Sequence, residues 1–279
     1  REDLAQLLSQ LDGQQYGAYK QLGRRTFQLD GFQVTFDHIQ ADAYAGPSRI
    51  RVRVLQETAL FPAALYTNRI RTIASAHFLT RQVHAHTVSK QEQEQRGGGW
   101  KAARGGDLSI DGPGQEVVER SSIVINDAFV EARMTAGLPA AGRTILGRVA
   151  HRMLLETLPR IVSQTLVFSA IDGVEMHAFA DSIEDQDALR AMLAPAGLVA
   201  FIGNGSVLPR RSGVSDLPLD TPGVVRFQAP AGLTVSFELP NRGHVEGMGV
   251  RRGITVIGGG GFHGKSTLLR AIERGVYNH

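Results

Sequence analysis

The 279-residue sequence contains no cysteine. Disulfides, thiolate nucleophiles and cysteine-ligated zinc are therefore excluded, and a reducing interior compartment is the fitting environment. Lysine is nearly missing as well: Lys20, Lys90, Lys101 and Lys265 stand against 26 arginines. A planar guanidinium suits bidentate phosphate contacts better than a point-charge ammonium, although biased codon usage gives the same ratio with no ligand involved. No apolar run approaches the ~18 residues that a membrane span needs, and Arg1-Glu2-Asp3 does not open a signal peptide, so an intracellular protein without a membrane partner is expected. There is no initiator methionine, and the chain reads as a fragment from which any targeting segment would be missing.

What is present suits a globular protein. Hydrophobic residues make up 42% and charged residues 20%, enough to build one large domain or two ordinary ones. The net charge of +3 is unevenly spread: residues 161–200 carry one basic and six acidic side chains, which reads as a solvated helix face.

Local patterns predict the elements. Leu4, Leu7, Leu8 and Leu11 recur at helical spacing, and Gly13 follows as a stop. Apolar runs on either side of Asp30-Gly31 predict a hairpin within residues 24–36. Residues 48–55 alternate strictly, with Ile50, Val52 and Val54 on one face and Arg49, Arg51 and Arg53 on the other. Such an arginine comb reads either as a nucleic-acid surface or as a solvated sheet face. Helices are expected over about 62–86, 143–167 and 181–194, and strands over 121–126, 128–135, 198–202, 224–227 and 233–239. His77, His84 and His86 lie close in sequence without a convergent carboxylate, and are expected at the surface rather than on a metal. Residues 203–223, rich in Gly, Pro and Ser, suggest a domain boundary or a lid.

Residues 96–106 place five glycines, Arg96, Lys101, Arg104 and the single tryptophan, Trp100, within eleven positions. A flexible surface loop and a phosphate-gripping loop with a base-stacking tryptophan are both consistent with that composition.

The sharpest chemical signal lies at residues 254–275. Ile254-Thr255-Val256-Ile257 reads as a buried strand, followed by Gly258, Gly259, Gly260, Gly261, Phe262, His263, Gly264, Lys265, Ser266 and Thr267. Gly259, Gly264, Lys265 and Ser266 satisfy G-x-x-x-x-G-K-[ST], and Leu268, Leu269, Ala271 and Ile272 predict an apolar helix face behind it. Glycine amides turn inward around a polyphosphate, the helix start adds its positive dipole end, Lys265 reaches the β- and γ-phosphates, and Ser266 ligates Mg²⁺. Nucleotide-binding residues 259–267, with ATP and Mg²⁺, are the expected site. A metal-binding Asp and a water-orienting group are expected beyond residue 279, so these residues alone are expected to bind nucleotide weakly without turning it over.

Several stretches resemble the predicted ATPases of the ABC class. They are Gly259–Leu269 with 273–279, His38-Ile39-Gln40 with Pro47-Ser48-Arg49, Phe78-Leu79-Thr80-Arg81, and Pro113-Gly114-Gln115-Glu116. Gly137-Leu138-Pro139 with Gly142-Arg143, Glu184-Asp185-Gln186, residues 205–213, and Glu238-Leu239-Pro240-Asn241 before Gly247-Met248-Gly249 continue the match in order along the chain. The loop near residue 100 departs from the family, being longer and carrying Trp100. The resemblance implies an α/β P-loop NTPase core of the ABC class, incomplete at its C-terminal side, behind a mixed α+β N-terminal domain. Residues 1–200 would form that domain and 201–279 the start of the core. It further implies ATP hydrolysis in the complete protein, a homodimer assembled on ATP, and RNA or other single-stranded nucleic acid as partner. One family member belongs to the mitochondrial RNA-binding machinery of trypanosomes, which implies the mitochondrial matrix, with the cytoplasm as the other option. A nucleotide-gated binding protein with negligible turnover and a P-loop kinase remain open as readings of the motif.

Overall fold

The computed structural model describes residues 1–95 and 105–279, and divides them into two compact units. The first comprises Arg1–Pro113 and Glu119–His177, and the second Gly114–Val118 and Ala178–His279. The chain thus changes unit three times, leaving the first for only five residues at 114–118.

The first unit opens with helix α1 (Glu2–Leu11), whose four leucines are all buried, as their spacing requires. Strands β1 (Thr26–Leu29) and β2 (Phe32–His38) form the hairpin expected around Asp30-Gly31. Strand β3 (Ser48–Leu55) follows and buries alternate residues. After the single turn α2 (Gln56–Ala59) comes the long helix α3 (Arg69–Gln95). Strands β4 (Leu108–Ser109), β5 (Ile123–Ile125) and β6 (Phe129–Ala136) complete an antiparallel sheet of order β1-β2-β3-β6-β4, with β5 also pairing β6. A small hairpin, β7 (Ala140–Ala141) with β8 (Thr144–Ile145), precedes α4 (Gly147–Arg152) and α5 (Leu158–Thr165). The two helices are joined by a π turn at Met153–Thr157, immediately before Pro159, whose missing N–H breaks the regular ladder.

Several buried polar groups of this unit find partners across the fold. Tyr16 and Tyr19 donate their hydroxyls to the carbonyls of Leu138 and Pro139 at 3.1 and 2.9 Å, and burial pushes both phenols up. Three of the resembling stretches meet at one buried amide: Gln40 Oε1 accepts from the backbone N–H groups of Leu138 (3.2 Å) and Ser48 (3.3 Å), while Ser48 Oγ accepts from the Gln40 N–H (3.0 Å). The sequence reading fails for His77, expected at the surface, which is buried on the inner side of α3.

Helix α6 (Gly173–Leu193) carries the chain from one unit into the other. In the second unit, β9 (Leu198–Gly203) leads to a short hairpin, β10 (Arg210–Ser212) with β11 (Ser215–Pro218). Strands β12 (Thr234–Leu239) and β13 (Gly243–Arg251) then form an antiparallel sheet of order β12-β13-β9. Helix α7 (Lys265–Arg274) closes the described elements, and its Leu268 and Ile272 pack with Phe227 and Leu208 on a small core of Ile202, Ala229 and Met248. Residues 224–227 are irregular rather than extended in a ladder: Phe227 instead exchanges backbone bonds with Gly205 and Ser206. No described helix is long and apolar enough to cross a membrane.

Candidate functional site

The glycine-rich loop lies between β13 and α7. Gly259 has φ +152°, Phe262 +61° and Gly264 +79°, so the backbone takes a positive φ at three positions before the helix begins. At Gly264 that conformation also serves as the N-cap of α7, and a side chain there would be strained. Helix α7 begins at Lys265 and extends its first hydrogen bond from Leu268 N–H to Gly264 C=O at 2.9 Å. The amides of its opening turn have no intrahelical acceptor by geometry and face the loop. The Lys265 Nζ arches back over the loop, donating to the carbonyl of Gly259 at 2.7 Å and to that of Gly260. Residues 258–264 are exposed, as is Ser266 in the first turn of the helix. A Cβ added at Gly258, Gly261 or Gly264 meets nothing within 4 Å, so the loop leaves room for a bulky anion. An ammonium satisfied by carbonyls, open glycines and a helix N-terminus form the donor set that a polyphosphate exploits.

Two details of the flanks correct the sequence reading. Residues 254–257 are neither buried nor a strand; Ile254 and Val256 are exposed, and no described strand pairs with them. Alternating β-branched residues favour extension, but a strand forms only where a neighbour completes its hydrogen bonds. On α7, Leu268 and Ile272 form the inner face one turn apart, which puts Leu269 outside in solvent. A cavity of about 860 Å³ beside α6 in the second unit contains no residue of the loop.

The arginine comb also takes shape. Arg49, Arg51 and Arg53 project from β3 on the face opposite its buried residues, in register with Thr135, Arg133 and Glu131 of β6. They are less available than the bare sequence implies. Arg51 chelates Asp37 with Nε and Nη2 at 2.7 and 2.8 Å, and this hydrogen bonding raises its pKa further. Arg53 bonds Glu131 through Nε (2.9 Å) and Nη2 (2.6 Å), and lies 3.9 Å from the Phe129 ring centroid. Arg133 reaches the other Glu131 oxygen at 3.2 Å. Arg49 is exposed at the rim of a trough of about 530 Å³ on this face. Asp37, Phe129, Glu131 and Arg133 escaped the sequence reading. Strand pairing brings Glu131 opposite Arg53, and only knowledge of that register would have exposed it. Arg96, Trp100, Lys101 and Arg104 lie outside the described residues. Among the described residues, no group of three His, Cys, Asp or Glu side chains is arranged to hold a metal ion. His84 and His86 bond the carbonyls of Ile110 and Gln82 through Nδ1.

A family model described as "ATPase of the ABC class N-terminal" matches residues 1–169, and an ABC ATPase model described as "P-loop domain" matches residues 172–279. No curated protein gives a match.

Proposed function

The chain belongs to the ATPases of the ABC class, and from that premise we propose that residues 259–267 hold the polyphosphate of ATP and that this site is coupled to RNA on the open face of the N-terminal sheet. The supporting observation is the folded-back Lys265, whose ammonium already spans the loop at the first turn of α7. A β- or γ-phosphate oxygen would take the place of the two carbonyls as its partner, while loop amides close around the remaining oxygens. Ser266 would hold Mg²⁺, which neutralises charge on the bridging phosphate oxygens. Binding of two copies through nucleotide fits the family resemblance and is part of the same proposal.

The RNA limb rests on the array of Arg49, Arg51, Arg53 and Arg133, together with Arg96, Trp100, Lys101 and Arg104. Contacts of this kind go mainly to phosphates and weaken as salt rises. Trp100 would add stacking of about 1–3 kcal/mol for a single-stranded base and nothing for a duplex.

Lys265→Ala tests the nucleotide site. Titration calorimetry with a non-hydrolysable ATP analogue is expected to show binding by the unsubstituted protein and none by the variant at the same concentrations. Equal affinity in the two would mean that the loop serves structure alone.

A further inference from the structure

Both flanks of the phosphate loop are fastened to one helix. Ahead of the loop, the turn between β12 and β13 seats on Asp185 of α6, a carboxylate only 7% exposed. Its Oδ1 accepts from the Asn241 backbone N–H at 2.9 Å and from Asn241 Nδ2 at 3.1 Å, and its Oδ2 from the Arg242 N–H at 2.9 Å. Beyond the loop, the segment after α7 is gripped by the next residue of α6, Gln186, and by Arg190 about a turn further on. Gln186 exchanges two bonds with the backbone of His279, both 2.9 Å. Arg190 donates Nη1 to the Gly275 carbonyl at 3.0 Å and Nη2 to Asn278 Oδ1 at 2.9 Å. Gly275 is the C-terminal cap of α7, where the helix leaves carbonyls without intrahelical donors and its dipole is negative, so a guanidinium is well matched to that end.

We infer that Gln186 and Arg190 are positioning residues for nucleotide: by fixing the far end of α7 they set the direction in which its first turn presents Lys265 and Ser266. The inference rests on the nucleotide site proposed above. Helix α7 has ten residues, about 15 Å at 1.5 Å each. A hydrogen-bonded helix moves as a rod, so tilt at Gly275 appears as displacement at Lys265. Asp185 holds the strand leading in, and the loop between these two fixed points has six glycines in thirteen residues (252–264) with little stiffness of its own. The ligand geometry therefore depends on its supports.

The test measures affinity for the non-hydrolysable ATP analogue at a temperature where circular dichroism shows every variant folded. Arg190→Ala removes two hydrogen bonds and is expected to weaken binding about five- to tenfold. Gln186→Ala should act in the same direction, and Arg190→Lys, which keeps one donor, should recover part of the loss. A purely structural role would lower the melting temperature and leave the affinity of the folded protein unchanged. Affinity equal to the unsubstituted protein in Arg190→Ala and Gln186→Ala, with binding lost in Lys265→Ala, overturns the inference and leaves the nucleotide site standing. Unchanged affinity in Lys265→Ala overturns both. Should Arg190→Ala fail to fold, Arg190→Lys is read in its place: a two- to threefold weakening supports the inference and none refutes it.

Discussion

Replacing Glu131 probes both the fold of the first unit and the use of its open face. The carboxylate is 2% exposed, while the arginines around it, Arg51, Arg53 and Arg133, keep 37%, 35% and 47% of their side-chain surface open. Removing one partner of a fully buried ion pair costs about 3–5 kcal/mol, and an exposed pair contributes under ~1. Water reaches these guanidinium groups once the carboxylate is gone, so Glu131→Ala should fall between the two limits, at about 2 kcal/mol. For a unit of this size that corresponds to a melting temperature lower by about 4–8 °C. Glu131→Gln keeps the volume and one acceptor and should lose about half as much. Urea denaturation followed by circular dichroism reads the loss as a shift in midpoint at constant slope. A change below about 0.5 kcal/mol for Glu131→Ala would refute the claim that this carboxylate organises the arginines. A second readout addresses function. Glu131→Gln frees Arg53 and adds one positive charge to the face, so log affinity for single-stranded RNA should fall with log salt more steeply, by about 0.7 for each phosphate gained. An unaltered slope would count against RNA on this surface, whatever the stability result.

Two further outcomes are expected from the second unit. A Cβ at position 247 would collide with the carbonyl oxygen of Ile202 and lie 2.6 Å from Phe201 Cζ and 2.8 Å from Gly203 Cα. Gly247→Ala should thus cost about 1–3 kcal/mol and speed amide exchange in β9, and a native urea midpoint would disprove this close approach. His244 sits between Glu238 (Nδ1 to Oε1, 2.8 Å) and Glu246 (Nε2 to Oε1, 3.6 Å), and these carboxylates, Glu238 foremost, raise it above the ordinary 6.5. Its charged form therefore favours the folded hairpin below about pH 6.5, and that small contribution disappears as pH climbs through the higher folded value. Proton NMR should give a midpoint above 6.5 that falls back in Glu238→Gln; a midpoint at or below 6.5 in the native protein would contradict the geometry.

The elements that sequence predicts well are those whose signals are local. Ile50, Val52 and Val54 alternate because a sheet with one buried face demands it, and Asp30-Gly31 closes a hairpin between its immediate neighbours. The start of α7 at Lys265 follows from the glycine–lysine–serine pattern for the same reason. Distant partners decided the rest. Asp185 belongs to a stretch of charge that reads as a wet helix face, yet the backbone it serves lies 56 and 57 residues away, at Asn241 and Arg242. Glu131 looks like an ordinary outward residue until β3 supplies Arg53 opposite. Residues 254–257 show the converse: strong local preference for a strand, with no described neighbour to complete one.

The five-residue excursion at 114–118 has a practical consequence for dissecting this protein. Val117 forms a β-bridge with Asn278, its N–H donating to the Asn278 carbonyl at 2.7 Å, and Glu116 stands 3.9 Å from Arg274. A single cut near residue 177 would leave that ribbon joined to the wrong piece. The N-terminal fragment would display an orphaned backbone edge, and the C-terminal fragment would lose a tether just past α7. Independent expression of the second unit thus calls for supplying 114–118 again, grafted through a linker or added in trans as a synthetic peptide, and its recovery of a sharp melting transition would report the reassociation directly.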